Sequence, residues 1–282
     1  MFIKRLLMIL PLKGLSAVAG VLANIRFPAF LLQPFLRYYC RHFQVKTDEM
    51  SQSLNSYHTF TQFFVRKLKT DARELCSEKN ALLSPVDGRV SETGKILACR
   101  LLQAKGDKYL LTDLIGVEAA NYFLDGDYMT IYLSPADYHR IHSPVDGVIE
   151  KATYFPGRLF PVNQWAVNNI GNLFCRNDRV LTLIKTKQGM LGLLKVGALI
   201  VGKIKLSYGE VGINKNSIRP PIEYDINLST KNHKNYELLA GEHMAQFELG
   251  STVIILGSEN LFKLSDLMGK RVVMGEKIGF LN

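Results

Sequence analysis

Short apolar runs separated by glycine, proline and Asn/Asp clusters make up most of the chain beyond residue 82. Many of these runs are rich in the β-branched and aromatic residues that favour strands. They cover residues 89–97, 128–133, 147–154, 180–185, 192–204, 252–256 and 271–273. The pattern predicts a mainly β core of the sandwich or barrel type.

A helical pattern of aromatic residues precedes this β region. Phe60, Phe63 and Leu68 recur at helical spacing, and Thr59 has a side chain suited to cap a helix start. The spacing predicts a helix over residues 59–74. With the apolar N-terminal region, it makes α+β the expected fold class.

The first 47 residues are both apolar and basic. They hold seven Lys and Arg residues and no acid, and they therefore account for most of the net charge of +10. The rest of the chain is nearly balanced, so a nucleic-acid-binding face is not expected. Four widely spaced cysteines without a Cys-x-x-Cys pair predict neither a metal site nor a disulfide framework, and suggest a reducing compartment.

The N-terminal segment is too broken to predict a spanning helix. Its charge-free runs, residues 14–25 and 27–36, are shorter than the about 20 apolar residues that a membrane span needs. Pro11, Pro28 and Pro34 are expected to divide it into short helices on an anionic membrane surface. A secretory signal and a helical hairpin packed on the main domain are the alternatives.

We therefore expect two regions. Residues 1–47 form a basic, apolar, helical membrane-association segment, and residues 48–282 form the main domain. The expected location is the cytoplasmic side of the cell membrane, as a peripheral protein.

The pentapeptide Ser-Pro-Val-Asp-Gly occurs twice, at residues 84–88 and 143–147. Each copy precedes a strand-like run. Proline presets φ and glycine permits positive φ, so a repeated turn type explains the pair. A duplicated hairpin unit is the other explanation.

Two histidines, His139 and His142, lie in a proline-bounded stretch just before the second copy. Histidine is the side chain best suited to move protons near neutral pH. Asp87, Asp137 and Asp146 are the nearby acids that sequence or the repeat offers as partners. A structural role for one or both histidines is equally open at this point.

The Gly250–Ser251 bond stands out near the C-terminus. Glycine places no side chain in the way of attack on its carbonyl, and the hydroxyl of the following serine can reach that carbonyl. The segment reads equally well as a turn that enters a buried strand.

The ordered motifs of the chain resemble those of the pyruvoyl-dependent phosphatidylserine decarboxylases, in their bacterial membrane-associated form. The resemblance covers most of the chain. It rests on Phe-Phe-Val-Arg-Lys-Leu (63–68), Ser-Pro-Val-Asp-Gly-Arg-Val (84–90), Leu-Ser-Pro-Ala-Asp-Tyr-His-Arg-Ile-His (133–142), Phe-Pro-Gly-Arg-Leu-Phe-Pro-Val-Asn (155–163), Asn-Leu-Phe-Cys-Arg-Asn (172–177), Val-Gly-Ala-Leu-Ile-Val-Gly (196–202) and Phe-Glu-Leu-Gly-Ser-Thr-Val (247–253).

The resemblance implies a self-cleavage triad of Asp87, His142 and Ser251. Asp87 would orient His142, which would deprotonate Ser251 for attack on the Gly250 carbonyl. Cleavage would give a β chain of residues 1–250 and an α chain of residues 251–282, held as a heterodimer that dimerises further. Asp146, the equivalent residue in the second Ser-Pro-Val-Asp-Gly copy, is an alternative to Asp87 as the partner of His142.

Ser251 would become a covalent pyruvoyl cofactor, the electrophile that forms a Schiff base with phosphatidylserine and accepts electrons on decarboxylation to phosphatidylethanolamine. His139 is implied in that second reaction, in substrate positioning or proton transfer. The enzyme would be a carboxy-lyase of phospholipid biosynthesis, with residues 48–282 as its catalytic domain.

Two other functions are kept open. A serine hydrolase would use Ser251 as an intact nucleophile, but the chain lacks the Gly-x-Ser-x-Gly elbow. A lipoyl-like carrier module would fit the glycine-rich β pattern, but it needs a modified lysine, and no Met-Lys pair occurs.

Overall fold

Helices come first in the chain and strands make up most of the rest. The computed structural model describes residues 7, 9–97, 99–102, 108–199, 204–209, 224–225, 236–248 and 251–282. Its helices are α1 (Leu12–Asn24), α2 (Ala29–Phe43), α3 (Phe60–Phe64), α4 (Leu111–Ile115), α5 (Val117–Ala120), α6 (Gln164–Asn169) and α7 (Leu173–Arg176), with 3₁₀ turns at Leu54–Ser56 and Asn121–Phe123.

The strands build one large sheet and three small ones. They are β1 (Ala81–Leu83), β2 (Gly88–Lys95), β3 (Arg100–Leu102), β4 (Lys108–Leu110), β5 (Asp127–Leu133), β6 (Arg140–His142), β7 (Gly147–Phe155), β8 (Arg179–Lys185), β9 (Met190–Gly197), β10 (Ile204–Leu206), β11 (Tyr224–Asp225), β12 (Glu237–Leu238), β13 (His243–Phe247), β14 (Ser251–Gly257), β15 (Phe262–Leu264), β16 (Arg271–Val272) and β17 (Lys277–Leu281).

The large sheet is antiparallel and curls into a half-barrel. Its order is β11-β7-β8-β9-β14-β5-β2-β16, with β12 also paired to β7. The small sheets are β1-β17-β15, β10-β13-β6 and β3-β4. β14 is central, and all its residues are buried, so both faces of the sheet are covered there. The α+β prediction, with a mainly β core after a helical N-terminal region, is confirmed.

Six of the seven predicted strand runs lie in the large sheet. The run at 192–204 is wrong as a single strand, because β9 ends at Gly197. There the side-chain amide of Asn177 donates to the Gly197 carbonyl at 2.9 Å, and the Gly197 amide donates to the Asp178 carbonyl at 2.8 Å. The Asn177 side chain occupies the Gly197 carbonyl, which therefore has a side-chain donor at the end of β9, and Ile204 begins β10 in another sheet.

The predicted helix at 59–74 is much shorter. Thr59 caps α3 as expected, accepting from the Gln62 amide at 3.1 Å. The helix ends at Phe64, because the Val65 carbonyl accepts from the Arg140 guanidinium at 2.9 Å and Leu68 forms a β-bridge with Met50. Tertiary contacts therefore override the helical pattern.

Proline divides the N-terminal segment at two of the three predicted positions. Pro11 and Pro28 directly precede α1 and α2, but Pro34 lies inside α2 without ending it. The second half of α2 is held by buried Leu36 and Tyr39. Among the described residues no single helix is long and apolar enough to cross a membrane, although α1 and α2 together pass that test as a pair bent by 119°.

The two Ser-Pro-Val-Asp-Gly segments fold as the same turn. In each, the serine hydroxyl donates to the carbonyl two residues later at 2.7 Å, in Ser84 and in Ser143. The glycine then begins a long strand, β2 or β7, where a Cβ would meet a neighbouring carbonyl within 2.7 Å. Close strand approach therefore requires glycine at both places.

The duplication extends to a second pair of segments, residues 274–276 and 240–242. Gly275 and Gly241 have φ near +87° and +81°, and the amide of each donates to the carbonyl of the serine of its turn. The amide of that serine donates to the carbonyl of the glutamate that follows the glycine. The Met274 amide donates to the Asp87 carboxylate at 2.8 Å, and the Ala240 amide donates to Asp146 at 2.7 Å. A duplicated unit, and not a turn type alone, underlies the sequence repeat.

Candidate active site

Ser251 opens the central strand β14. It pairs with Gly197 of β9 and Leu133 of β5, and it has no solvent exposure. Its hydroxyl has no hydrogen-bond partner among the described residues. A buried hydroxyl without a partner costs free energy, and such groups are rare enough to call for a functional explanation. Gly250, the other side of the predicted cleavage bond, lies outside the described residues.

The segment that carries His139 joins two sheets. β5 of the large sheet leads to β6 through residues 134–139. β14 pairs with β5, and β13 pairs with β6. The Phe247 amide donates to the His139 carbonyl at 3.0 Å. Topology therefore places Ser251 next to the segment that carries His139.

His139 is fully buried and keeps one ring nitrogen free. Its Nδ1 lies 2.8 Å from the Asp137 carbonyl, and its ring packs on Phe64 at 4.1 Å between centroids. A carbonyl only accepts, so Nδ1 carries the proton. Nε2 is buried and has no partner among the described residues. Burial lowers the pKa of His139 to about 3, so the ring is a neutral base with an available lone pair.

His142 is held at both ring nitrogens. Nδ1 lies 2.7 Å from the Gly241 carbonyl, and Nε2 lies 3.0 Å from the Tyr138 hydroxyl. Nδ1 therefore donates and Nε2 accepts. Burial lowers the pKa of His142, and this outweighs the Gly241 carbonyl, which favours the charged ring. The ring also lies 5.6 Å from that of His243, its cross-strand partner.

Asp87 is a buried carboxylate with strong partners. Arg73 donates to it from Nε at 3.2 Å and from Nη2 at 2.5 Å, in addition to the Met274 amide. The His142 amide donates to the Pro85 carbonyl at 2.9 Å, so Asp87 and His142 stand on adjoining segments. Asp87 also favours the charged form of His142.

Of the three predicted triad side chains, Asp87 and His142 are close enough to interact electrostatically, but they are not linked by a hydrogen bond. Within the described part of the chain, no hydrogen bond joins Asp87 to His142 or His142 to Ser251. Asp146 is exposed, with its carboxylate on the Ala240 amide. Of the two repeated aspartates, only Asp87 is buried beside the histidines.

Sequence reasoning missed three charged or titratable residues near the site. Arg73 binds Asp87, His243 faces His142, and Arg66 lies buried beside the 134–139 segment. Arg66 lies two residues after the buried end of α3, and a charge close to an aromatic run is the available signal. Arg73 and His243 are recognisable only from their partners, which are distant in sequence.

A cavity of about 350 Å³ adjoins Asp87 and the 134–139 segment. Its wall combines charged side chains with residues from the end of α2. The lining residues are Phe43, Gln44, Lys46, Glu49, Arg66, Leu68, Arg73, Asp87, Ser134, Ala136, Asp137, Tyr138, Arg271 and Val273.

A buried serine hydroxyl at a strand start, with neutral histidines on the neighbouring segment, defines the class of nucleophile-and-base sites. Comparison with known proteins gives the family. The family model for phosphatidylserine decarboxylase matches residues 60–280. The chain therefore belongs to the phosphatidylserine decarboxylase family.

Curated relatives agree over nearly the whole chain. A phosphatidylserine decarboxylase proenzyme of Myxococcus xanthus (strain DK1622) is 37% identical over 280 residues, which cover 98% of this chain and 97% of the relative. Proenzymes of the same name from Stutzerimonas stutzeri (strain A1501) and Bordetella petrii are 38% and 40% identical. The alignments cover 96% and 93% of this chain, and 91% of each relative.

Proposed function

We propose that this chain is the precursor of an enzyme that converts phosphatidylserine to phosphatidylethanolamine, and that it activates itself by cutting the Gly250–Ser251 bond. Relatives named as proenzymes support a precursor. The observation that carries the proposal is the buried, unpartnered hydroxyl of Ser251 at the start of the central strand.

In the proposed cleavage, Asp87, His142 and Ser251 act together. His142 takes the hydroxyl proton of Ser251, whose oxygen attacks the Gly250 carbonyl and displaces the Ser251 nitrogen. β-Elimination then releases the Gly250 carboxylate, and hydrolysis of the resulting dehydroalanine releases ammonia. Tyr138 must give up its bond to His142 Nε2 for this step, because that nitrogen is the base.

The product would be a pyruvoyl group at position 251, and its site fits. A pyruvoyl carbonyl supplies an electrophile for the substrate amine and a sink for the electrons left when carbon dioxide departs. The available Nε2 of His139 suits contact with the substrate carboxyl or proton delivery, since the ring is neutral and buried on the segment that follows Leu133, the strand partner of Ser251.

The two chains would stay together after cleavage. The proposed α chain, residues 251–282, supplies β14 between β9 and β5, and β17 between β1 and β15. Each of these strands pairs on both sides with strands of the β chain or of its own hairpin, so the heterodimer is held by the sheets themselves.

We also propose that residues 1–47 hold the enzyme on the cytoplasmic face of the membrane. α1 and α2 expose large apolar side chains, and basic residues accompany them. The exposed set includes Leu15, Val18, Val21, Leu22, Phe30, Leu31, Phe35 and Tyr38. Such helices bind an anionic interface by burying the apolar face while Lys and Arg meet headgroups.

The intact mass of the purified protein tests the cleavage. We expect two chains, the smaller covering residues 251–282 with a keto-blocked N-terminus. Ser251→Ala should remain one chain and should not decarboxylate phosphatidylserine. Thr252→Ala is the matched control, since its hydroxyl is also buried and unpartnered among the described residues, and it should still be cleaved. A fully active wild-type protein that stays one chain would contradict the proposal.

A further inference from the structure

Arg66 is a buried cation with unused donors. Its side chain follows α3, and the residue is only 4% exposed. Nη2 donates to the carbonyls of Ala136 and Asp137 at 2.7 and 3.2 Å. Nε and Nη1 are buried and have no acceptor among the described residues. Because arginine cannot shed its proton in a protein, these donors and the charge persist.

The carboxylates around the cavity are all engaged with other cations. Arg73 binds Asp87 at 2.5 Å and Glu49 at 2.8 Å, and Lys46 also binds Glu49. Asp137 pairs with Arg271 and accepts from the Ser134 amide.

Arg66, in contrast, contacts no carboxylate within the described part of the chain. Burial lowers the pKa of Arg66, which reports the cost of holding this charge out of water. The charge is offset only by two carbonyls and by the Phe63 ring, whose centroid lies 5.6 Å from the guanidinium carbon, so an anion that enters the cavity would offset more of that cost.

The cavity lies between the end of α2 and the proposed catalytic residues. Phe43 and Gln44, at the end of α2, form one side of it, and α2 exposes Phe35 and Tyr38. Tyr138, which binds His142, forms another side. A lipid whose tails lie along α2 would therefore bring its headgroup to this cavity, next to the proposed catalytic residues.

We propose that this cavity is a phosphoryl-binding subsite, in which the guanidinium of Arg66 supplies the positive charge and the hydrogen-bond donors for the phosphate of a phospholipid headgroup. The inference rests on the proposed function, because it names the group that holds the substrate. Guanidinium groups suit phosphate oxyanions, with charge-assisted hydrogen bonds about twice as strong as neutral ones.

Steady-state kinetics on the self-processed enzyme give the first test. Arg66→Gln removes the charge, and we expect the KM for short-chain phosphatidylserine to rise about 10- to 100-fold, the range for a lost hydrogen bond to a charged group, with little change in kcat. Lys69→Gln is the matched control, because it removes an exposed positive charge three residues away and should leave KM unchanged. An equal KM for wild type and Arg66→Gln overturns the inference.

A binding test avoids self-cleavage as a variable. Arg66→Gln and Arg66→Lys are each placed in the Ser251→Ala precursor. The thermal unfolding midpoint of each protein is then measured in inorganic phosphate and in chloride at the same ionic strength. We expect phosphate to raise the midpoint of the Ser251→Ala parent, to do so less for Arg66→Lys, and to have no such effect on Arg66→Gln. A parent that does not respond to phosphate or to glycerophosphoserine overturns the inference, whatever the variants do.

The two probes separate the sources of the phosphate. A larger shift with glycerophosphoserine than with inorganic phosphate supports a headgroup subsite, and an equal or smaller shift overturns the assignment to a headgroup. The proposed function fails separately, if wild-type protein stays uncleaved and inactive. If the wild-type enzyme is active but phosphate does not raise the thermal midpoint of the Ser251→Ala precursor, only the proposed role of Arg66 is rejected.

Discussion

The two Ser-Pro-Val-Asp-Gly units share a backbone but differ in the side chains that surround them and in the burial of their aspartates. Each unit has its serine-to-carbonyl bond, its positive-φ glycine and an amide donor on the aspartate. The equivalence continues outward. Leu83 pairs with Lys277 across β1 and β17, just as His142 pairs with His243 across β6 and β13, and both ladders shift register next to that pair.

The proposed site draws its side chains from both units. His142 takes the place of Leu83, and His139 the place of Asn80, so both histidines belong to the second unit. The buried carboxylate, Asp87, belongs to the first, where Arg73 binds it.

The two units meet through reciprocal backbone bonds, which bring these side chains onto adjoining segments. His142 donates to Pro85, and Leu83 donates to Pro144, each at 2.9 Å. A duplicated fold can thus place unlike groups around one local axis, with each copy free to specialise.

The largest expected effect comes from making the second unit like the first. His142→Leu copies Leu83, which is fully accommodated at the equivalent place, so folding should persist. Self-cleavage should slow by at least about 100-fold, because the proposed base is gone. Intact mass against time measures it. His42→Leu, which changes an exposed histidine of α2, is the control and should be cleaved normally. Cleavage of the His142 variant at the wild-type rate would remove His142 from the proposed triad.

The aspartates give the next largest contrast. Asp87→Asn leaves Arg73 without its buried counter-charge, and breaking a buried pair costs about 3–5 kcal/mol of unfolding free energy. Glu49 keeps part of the arginine interaction, so we expect the lower end of that range. Asp146→Asn keeps an oxygen for the Ala240 amide at an exposed site, and should cost about 1 kcal/mol or less. Denaturant unfolding of both variants measures the difference, and equal losses would mean that the two sites are energetically alike.

Much of this fold was predictable from local pattern. Six strand runs were found because their glycine and proline borders and β-branched residues are local signals. The repeat was visible, but the matching Gly-Glu pairs at 241–242 and 275–276 are too short to recognise without the turns they bind. The partners of Asp87 and His142 could not be predicted, since Arg73 and Gly241 reach them through tertiary contacts. Tyr138 lies only four residues before His142, but no local signal marks its bond to that ring. Whether the Ser251 hydroxyl has a hydrogen-bond partner depends on the packing of the whole sheet, so it could not be predicted from the local sequence.

Substitutions at Gly241 and Gly275 should distinguish an effect on unfolding free energy from an effect on self-cleavage. Gly241→Ala and Gly275→Ala each force a side chain into a positive φ, at about 1–2 kcal/mol, and each new Cβ meets the Leu75 side chain at 2.5 Å. We expect similar losses of unfolding free energy. Only Gly241 supplies the carbonyl that orients His142, so only Gly241→Ala should also slow self-cleavage. Slowing of cleavage by both variants to the same extent would show that general destabilisation, and not His142 orientation, controls the rate.

The smallest expected effect tests whether the two turns are equal where their contacts are equal. Ser84 and Ser143 are both fully buried or nearly so, and each donates to a carbonyl at 2.7 Å. Ser84→Ala and Ser143→Ala should each lower the unfolding free energy by about 1 kcal/mol, the net worth of a neutral hydrogen bond plus its unpaired acceptor. Chemical denaturation of the two variants beside wild type measures both values. A loss in Ser143→Ala that exceeds that in Ser84→Ala by more than about 1 kcal/mol would mean that the histidine-bearing unit is strained, and that its serine holds His142 in place as well as closing the turn.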